Sequence, residues 1–348
     1  VNMLNKVVIT GIGYVLPEGY GTGDTLQEHI LQHRDPKFSI NEDVIKEYIS
    51  ERLWDKIDSF SRYALVAAKL AVEHARLSLD KVDMTRCGCF VGNTFGGWKF
   101  TERELQKLYS EGARFVSPYQ ATSWFPAAVQ GQLSLFFGIK GFSKTYMSDR
   151  ASGLISLISA AEKIADGTLD IAIAGGTEST NTAFLQQVLS GMKIAKENDF
   201  KVSEGSVFLI LENEEHAKKG QRNIHGYIKG YGMANYPCSS DKYCDDKITI
   251  MNAMKKAAFP NTPALVFPDL SGQERVDKAE EKAIMSLWPD VKVNYHKAAI
   301  GHTFGAEGAL DTALACTGLG SEITPSTLIN SKALGGLCVS LLVSKEDL

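Results

Sequence analysis

The sequence predicts an α/β protein, and three observations lead there. Short β-rich runs alternate with segments whose apolar residues recur at helical spacing. The alternation continues from the first residues to the last, with no Pro/Gly/Ser-rich linker or low-complexity stretch to divide the chain. The theme then returns in shorter form in the second part without sequence repetition, which fits two similar halves.

Taken in order, Val7–Ile12 reads as a strand ending in a Gly-rich turn, and the lone GxG of "TGIGY" is too short for a dinucleotide fingerprint. Arg62–Leu77 carries apolar residues at helical spacing, and Cys87–Gly92 is a short strand. A small-residue helix, Ala151–Ala165, leads to the strand Leu169–Gly176, and Ser206–Leu211 follows as another apolar strand. The charge run Glu212–Lys219 reads as a solvated face. In the second part, Ile248–Ala258, Asp277–Leu287 and Ala306–Leu319 read as helices. Ala264–Phe267, Val291–Asn294 and Val339–Val343 read as strands.

Bulk properties narrow the function. The 348 residues suffice for a large core, and 44% apolar with 22% charged residues is ordinary for a globular protein. A net charge of −4 leaves no basic footprint for nucleic acid. The longest strongly apolar run, Leu133–Ile139, is too short to span a bilayer. The opening "VNMLNKVVITGIG" enters a strand pattern directly and lacks the form of a signal peptide, so a cytoplasmic location is expected. The six cysteines show no CxxC pair and no metal-ligand spacing. Cys316 lies in a helix pattern and Cys338 opens an apolar strand, so both read as core thiols rather than nucleophiles.

Residues 145–153, "TYMSDRASG", lie between the apolar run "GQLSLFFGIKG" (Gly131–Gly141) and the strand "LDIAIAGG". This arrangement resembles the nucleophile elbow of the β-ketoacyl-ACP synthases of the thiolase superfamily. In order, "VVITGIG", "FVGNTFGG" (Phe90–Gly97), the stretch Phe115–Gly141 and "SEGSVFLILENEEHAKKG" (Ser203–Gly220) resemble the family's first half. "DKAEEKAI" (Asp277–Ile284), "HKAAIGHTFGAEGAL" (His296–Leu310) and "INSKALGGLCVSLLV" (Ile329–Val343) resemble its second. The resemblance covers essentially the whole chain; loops between Ile194 and Asp277 are trimmed. It implies a thiolase-like duplicated α/β/α layered fold, with halves at 1–225 and 226–348.

It also implies a degenerate active site. The family cysteine, at a helix N-terminus that would lower its pKa, falls on Arg150, and a guanidinium cannot carry an acyl group. The family's first histidine, eight residues before an aspartate, falls on Asp269 in "FPDLSG". The second histidine survives as His302 and the family lysine as Lys297, while the gatekeeping phenylalanine falls on Lys332 in "NSKALGG". Losing a histidine makes the pocket a poor place to develop the negative charge of an enolate. Arg150 and Asp269 are placed to pair with each other.

Among ketosynthase-like chains, this pattern resembles the chain length factors of type II polyketide synthases, which lack the cysteine and pair with an active ketosynthase. Glutamine usually takes the cysteine's place in actinomycete members; arginine is a departure, and it weighs against a malonyl-ACP decarboxylase role. The implied partners are that ketosynthase and an acyl carrier protein, with no cofactor and no metal. Trp98, Thr101, Leu105 and Leu108 fall on one helical stripe, either a buried amphipathic face or the lining of an acyl channel's end. The chain-length gate candidates are Trp98, Thr101 and Leu105, with Phe95 if the register slips. A partner subunit for aryl-polyene assembly, a divergent synthase with its own activity and a structural homodimer remain alternatives.

Overall fold

The computed structural model describes residues 6–32, 38–191, 201–318 and 325–347. Its strands are β1 (Val7–Leu16), β2 (Gly19–Thr22), β3 (Cys87–Gly92), β4 (Lys144–Tyr146), β5 (Ile171–Glu178) and β6 (Gly205–Asn213), then β7 (Gly226–Asn235), β8 (Leu265–Phe267), β9 (Lys292–Val293), β10 (Ser326–Ala333) and β11 (Leu337–Ser344). They pair in the order β4-β3-β5-β6-β1-β7-β11-β10-β8-β9, with β2 on β1. The order β4-β3-β5-β6-β1 is repeated by β9-β8-β10-β11-β7. The pairing sense repeats too: β3 is parallel to β4 and β5 as β8 is to β9 and β10, and the last two pairings of each set are antiparallel. The two sets meet where Val7–Ile9 pairs with Gly226–Ile228.

Two helices, Ser152–Ala165 and Glu307–Thr317, pack together between these strand sets within one buried cluster. Burial of most of their surface explains their small and apolar composition, "SGLISLISAAEKIA" and "EGALDTALACT". The helix Ser59–His74 covers the outer face of the first set, and Lys247–Ala258 and Glu274–Leu287 cover that of the second. The α/β class and the layered duplication expected from the sequence are therefore present.

Several elements differ from the reading of the sequence. The chain does not turn after Ile12; β1 continues to Leu16. Gly11 and Gly13 are in-strand residues that let the helix Ser59–His74 lie close: a Cβ would sit 2.2 Å from the Ala71 carbonyl oxygen at Gly11 and 2.1 Å from that of Ala67 at Gly13. Glu212 is not solvated. It is fully buried, accepting from Arg222 Nε (2.8 Å) and bonded to His216 Nδ1 (2.7 Å) and Thr10. The helix that follows, Glu214–Lys219, is the exposed part of that charge run. β7 and β10 were not read as strands. The helix placed at Ala306–Leu319 ends at Thr317, and Leu319 lies outside the described residues.

Near the junction of the two sets, His74 and His225 stack with ring centroids 4.4 Å apart. His74 Nδ1 accepts the Ile12 N–H at 3.0 Å, fixing that ring against β1. Burial, then the neighbouring His74, pushes His225 down to about 4. A histidine held below its unfolded value contributes stability above pH ~6.5 that is lost as the pH falls through about 4. The melting temperature of the wild type should therefore fall more than that of His225→Phe between pH 6.5 and pH 4. Parallel curves would show that His225 is not responsible.

Candidate active site

The elbow forms where β4 ends and the helix Ser152–Ala165 begins. Asp149 adopts a left-handed φ of +49°, and Ser152 Oγ locks the turn by accepting the Ser148 N–H (2.8 Å) and donating to the Asp149 carbonyl (2.6 Å). This geometry delivers residue 150 to the N-terminus of a buried helix. The residue delivered is Arg150, 1% exposed.

Arg150 Nη2 lies 3.5 Å from Asp269 Oδ2, and its guanidinium carbon sits 3.7 Å from the ring centroid of Tyr243. Among the described residues its nitrogens have no hydrogen-bond acceptor, so charge and ring contact hold it. The structure thus brings Arg150 and Asp269 together as the sequence anticipates. Lys332 joins them: its Nζ is 3.7 Å from Asp269 Oδ2 and paired with Glu280, and its N–H donates to Asp269 Oδ1 (3.2 Å). Burial raises the Asp269 carboxyl, but Arg150 and then Lys332 outweigh it and hold it at about 2. For Arg150, burial opposes the charge and Asp269 more than offsets it, so the guanidinium stays protonated.

Lys297 and His302 occupy the other side. Lys297 Nζ donates to the Pro268 carbonyl (2.7 Å) and pairs with Asp311 Oδ2 at 2.8 Å, which His296 Nε2 also approaches through Oδ1 at 2.7 Å. His302 Nδ1 accepts the Phe304 N–H at 2.9 Å, and burial followed by Arg150 pushes it well below the ordinary histidine value. It is neutral, with Nδ1 engaged by a backbone hydrogen bond. His296, Glu307 and Asp311 bring possible metal-ligand atoms within 4.8 Å of one another, but Lys297 already brings a cation to Asp311. This arrangement is a filled lattice of buried charges with no thiol at its centre.

The spacing of known motifs located Arg150, Asp269, Lys297, His302 and Lys332. Glu280, Glu307, Asp311 and Tyr243 were missed. A signal existed for the acids: Glu280 lies on the buried stripe Val276/Ala279/Glu280/Ala283, and Glu307 and Asp311 stand at i, i+4 on an otherwise apolar helix. Tyr243 sits in an irregular segment whose sequence carries no such mark.

The gate candidates separate. Phe95 turns toward the site, its ring centroid 5.1 Å from that of Phe304, which lies 5.2 Å from His302. Trp98 starts the helix Trp98–Ser110 and stacks on Phe184 at 4.1 Å. Thr101 Oγ1 donates to the Gly97 carbonyl (2.7 Å) and accepts from Gln120 Nε2 (3.0 Å). The stripe is not a buried face: Leu105 is 39% and Leu108 37% exposed. The buried positions are Phe100 and Glu104, because the Glu104 carboxylate accepts the Ser117 N–H (2.7 Å) and pairs with Arg103 and Lys107.

The repeated strand order around two central helices, with an elbow at one helix N-terminus, defines a thiolase-like ketosynthase fold. Residues 46–217 match the family model for the N-terminal domain of β-ketoacyl synthases. That stretch is similar to the ketoacyl synthases. It is 27% identical to the tetracenomycin polyketide synthase ketoacyl synthase beta subunit of Streptomyces glaucescens, covering 97% of this chain and 91% of that one. A solved type II PKS acyl-carrier protein in complex with its ketosynthase bound to the hexaketide, AntDE:AntF, is similar with a TM-score of 0.84 and 29% identity over 98% of this chain and 100% of that one. The ishigamide ketosynthase/chain length factor has the same fold, with a TM-score of 0.84 and 19% identity over 98% and 99% of the two chains. Among the described residues no helix is long and apolar enough to cross a membrane.

Proposed function

We propose that this chain is a non-catalytic ketosynthase-like subunit, a chain length factor. It pairs with an active ketosynthase and shapes the cavity in which the polyketide grows from malonyl units on an acyl carrier protein. One observation carries the reading: the elbow presents Arg150, locked against Asp269, where the chemistry needs a thiolate. The similarity to a ketoacyl synthase beta subunit of a polyketide synthase supports it. So does the surface. β4 pairs only with β3 among the described strands and ends the sheet. Trp124, Phe125, Leu135, Phe136, Phe142 and Met147, in the segments before and after β4, are all exposed. A ketosynthase would cover that edge in the cytoplasm, and the exposed stripe at Leu105 and Leu108 would meet it. The proposed halves, 1–225 and 226–348, divide where β7 begins at Gly226, the first strand of the second set.

The Trp98–Phe184 stack lies beside the Gly96–Gly97 turn, and in this reading it closes the channel end. Trp98→Ala should lengthen the product of the reconstituted complex by one or more two-carbon units, since it frees on the order of 100 Å³ where the core does not collapse. Product mass is the measurement. An unchanged distribution from a folded complex would return Trp98 to a packing role, and lengthening confined to Phe95→Ala would move the gate there.

A further inference from the structure

The segment 236–246, between β7 and the helix Lys247–Ala258, lies over the filled site and carries Tyr243 onto Arg150. It is tied to the β10–β11 turn by the Tyr236 N–H to the Gly336 carbonyl (3.0 Å) and the Gly335 N–H to the Lys242 carbonyl (2.9 Å). The next residue, Cys244, is fully buried in one packed cluster with Cys338 of β11. The Cys244 thiol donates to the Asp246 carbonyl at 3.8 Å, the Cys244 and Cys338 thiols are close enough to shift each other, and both cysteines are free. The other buried cysteines lack such a partner across the fold. Cys87 and Cys89 are two apart on one strand, a separation of roughly 6.5–7 Å that disfavours a bridge, and Cys316 lies in a different cluster.

We propose that Cys244 and Cys338 form a redox-active dithiol whose oxidation staples the 236–246 segment to β11 and fixes Tyr243 over Arg150. The oxidant is a small-molecule disulfide of the glutathione class, reaching the pair when the segment lifts. The Cys244 thiolate attacks one sulfur of the oxidant and expels a thiolate, leaving a mixed disulfide on Cys244. Cys338 gives its proton to the expelled thiolate and attacks the Cys244 sulfur, expelling the second half of the oxidant as a thiolate, which takes up the proton Cys244 had released. One S–S bond is broken and one formed; the protein loses two S–H groups and the oxidant gains two. The direction of the thiols' shifts suits these roles: contact with Cys338, ahead of burial, lowers Cys244, and the same contact raises Cys338.

The test is equilibration of the full chain in reduced and oxidised glutathione, acid quench, alkylation and peptide mass mapping. The expected result is a Cys244–Cys338 linked peptide and a thermal midpoint on the order of 5 °C higher in the oxidised form. The rise should disappear in Cys338→Ala and in Cys244→Ala and persist in Cys238→Ala, the reduced midpoint of each variant reporting its folding. A mixed disulfide on the more accessible Cys238 alone, a Cys238–Cys244 link, or free thiols at full oxidation overturns the proposal.

Discussion

Asp269→Asn should destabilise the protein by about 3–5 kcal/mol, more than Arg150→Met does. The asymmetry comes from the number of cations that lean on one carboxylate. Arg150 lies 3.5 Å and Lys332 3.7 Å from Asp269 Oδ2. Removing Arg150 leaves Asp269 paired with Lys332 and accepting from Ser331 Oγ and the Lys332 N–H. Removing the Asp269 charge takes from Arg150 its nearest counter-ion in a fully buried setting. The double variant Arg150→Met/Asp269→Asn should then be more stable than Asp269→Asn alone, with a coupling of roughly 0.5–3 kcal/mol in a denaturation cycle. Additive losses would show that the two residues share a location and no energy. Arg150→Cys should not create a working synthase, because the thiol would face Asp269 where the ketosynthase resemblance implies a histidine.

Leu135→Asp should abolish assembly with the ketosynthase while leaving the isolated chain as stable as before. Leu135 is 80% exposed on the helix Ala128–Phe137, so a carboxylate there costs the free chain little and removes exposed apolar surface. In an obligate interface, which typically buries about 2,000 Å² or more, the same carboxylate is desolvated without a partner. Co-purification of the pair should fall at least tenfold, with an unchanged melting temperature for the chain alone. Retained assembly would place the interface elsewhere.

Much of this was legible in the sequence, and the failures have physical causes. Cys87–Gly92 was placed to the residue because a buried strand between turns leaves a clean apolar run. β10, "STLINSKA", was missed because it passes through the charged site, so Asn330, Ser331 and Lys332 break its apolar signal. β7, "GYIKGYGMAN", was missed because Gly230 and Gly232 lie against the helix Lys247–Ala258, where a Cβ would meet the carbonyls of Ala257 and Ala253 at 2.4 and 2.0 Å. The same cause hid the length of β1. In the site, residues at fixed motif spacings were found. Tyr243, brought in by the tertiary fold from a segment without periodicity, could not be.

The central claim is that the acyl chain never rests on this subunit. The direct measurement is intact mass of both subunits after the purified pair, and this chain alone, are incubated with acyl-ACP and quenched in acid. The account predicts one acyl adduct, on the ketosynthase partner, and an unmodified mass for this chain in both samples. An acyl adduct on this chain, with or without the partner, would contradict it.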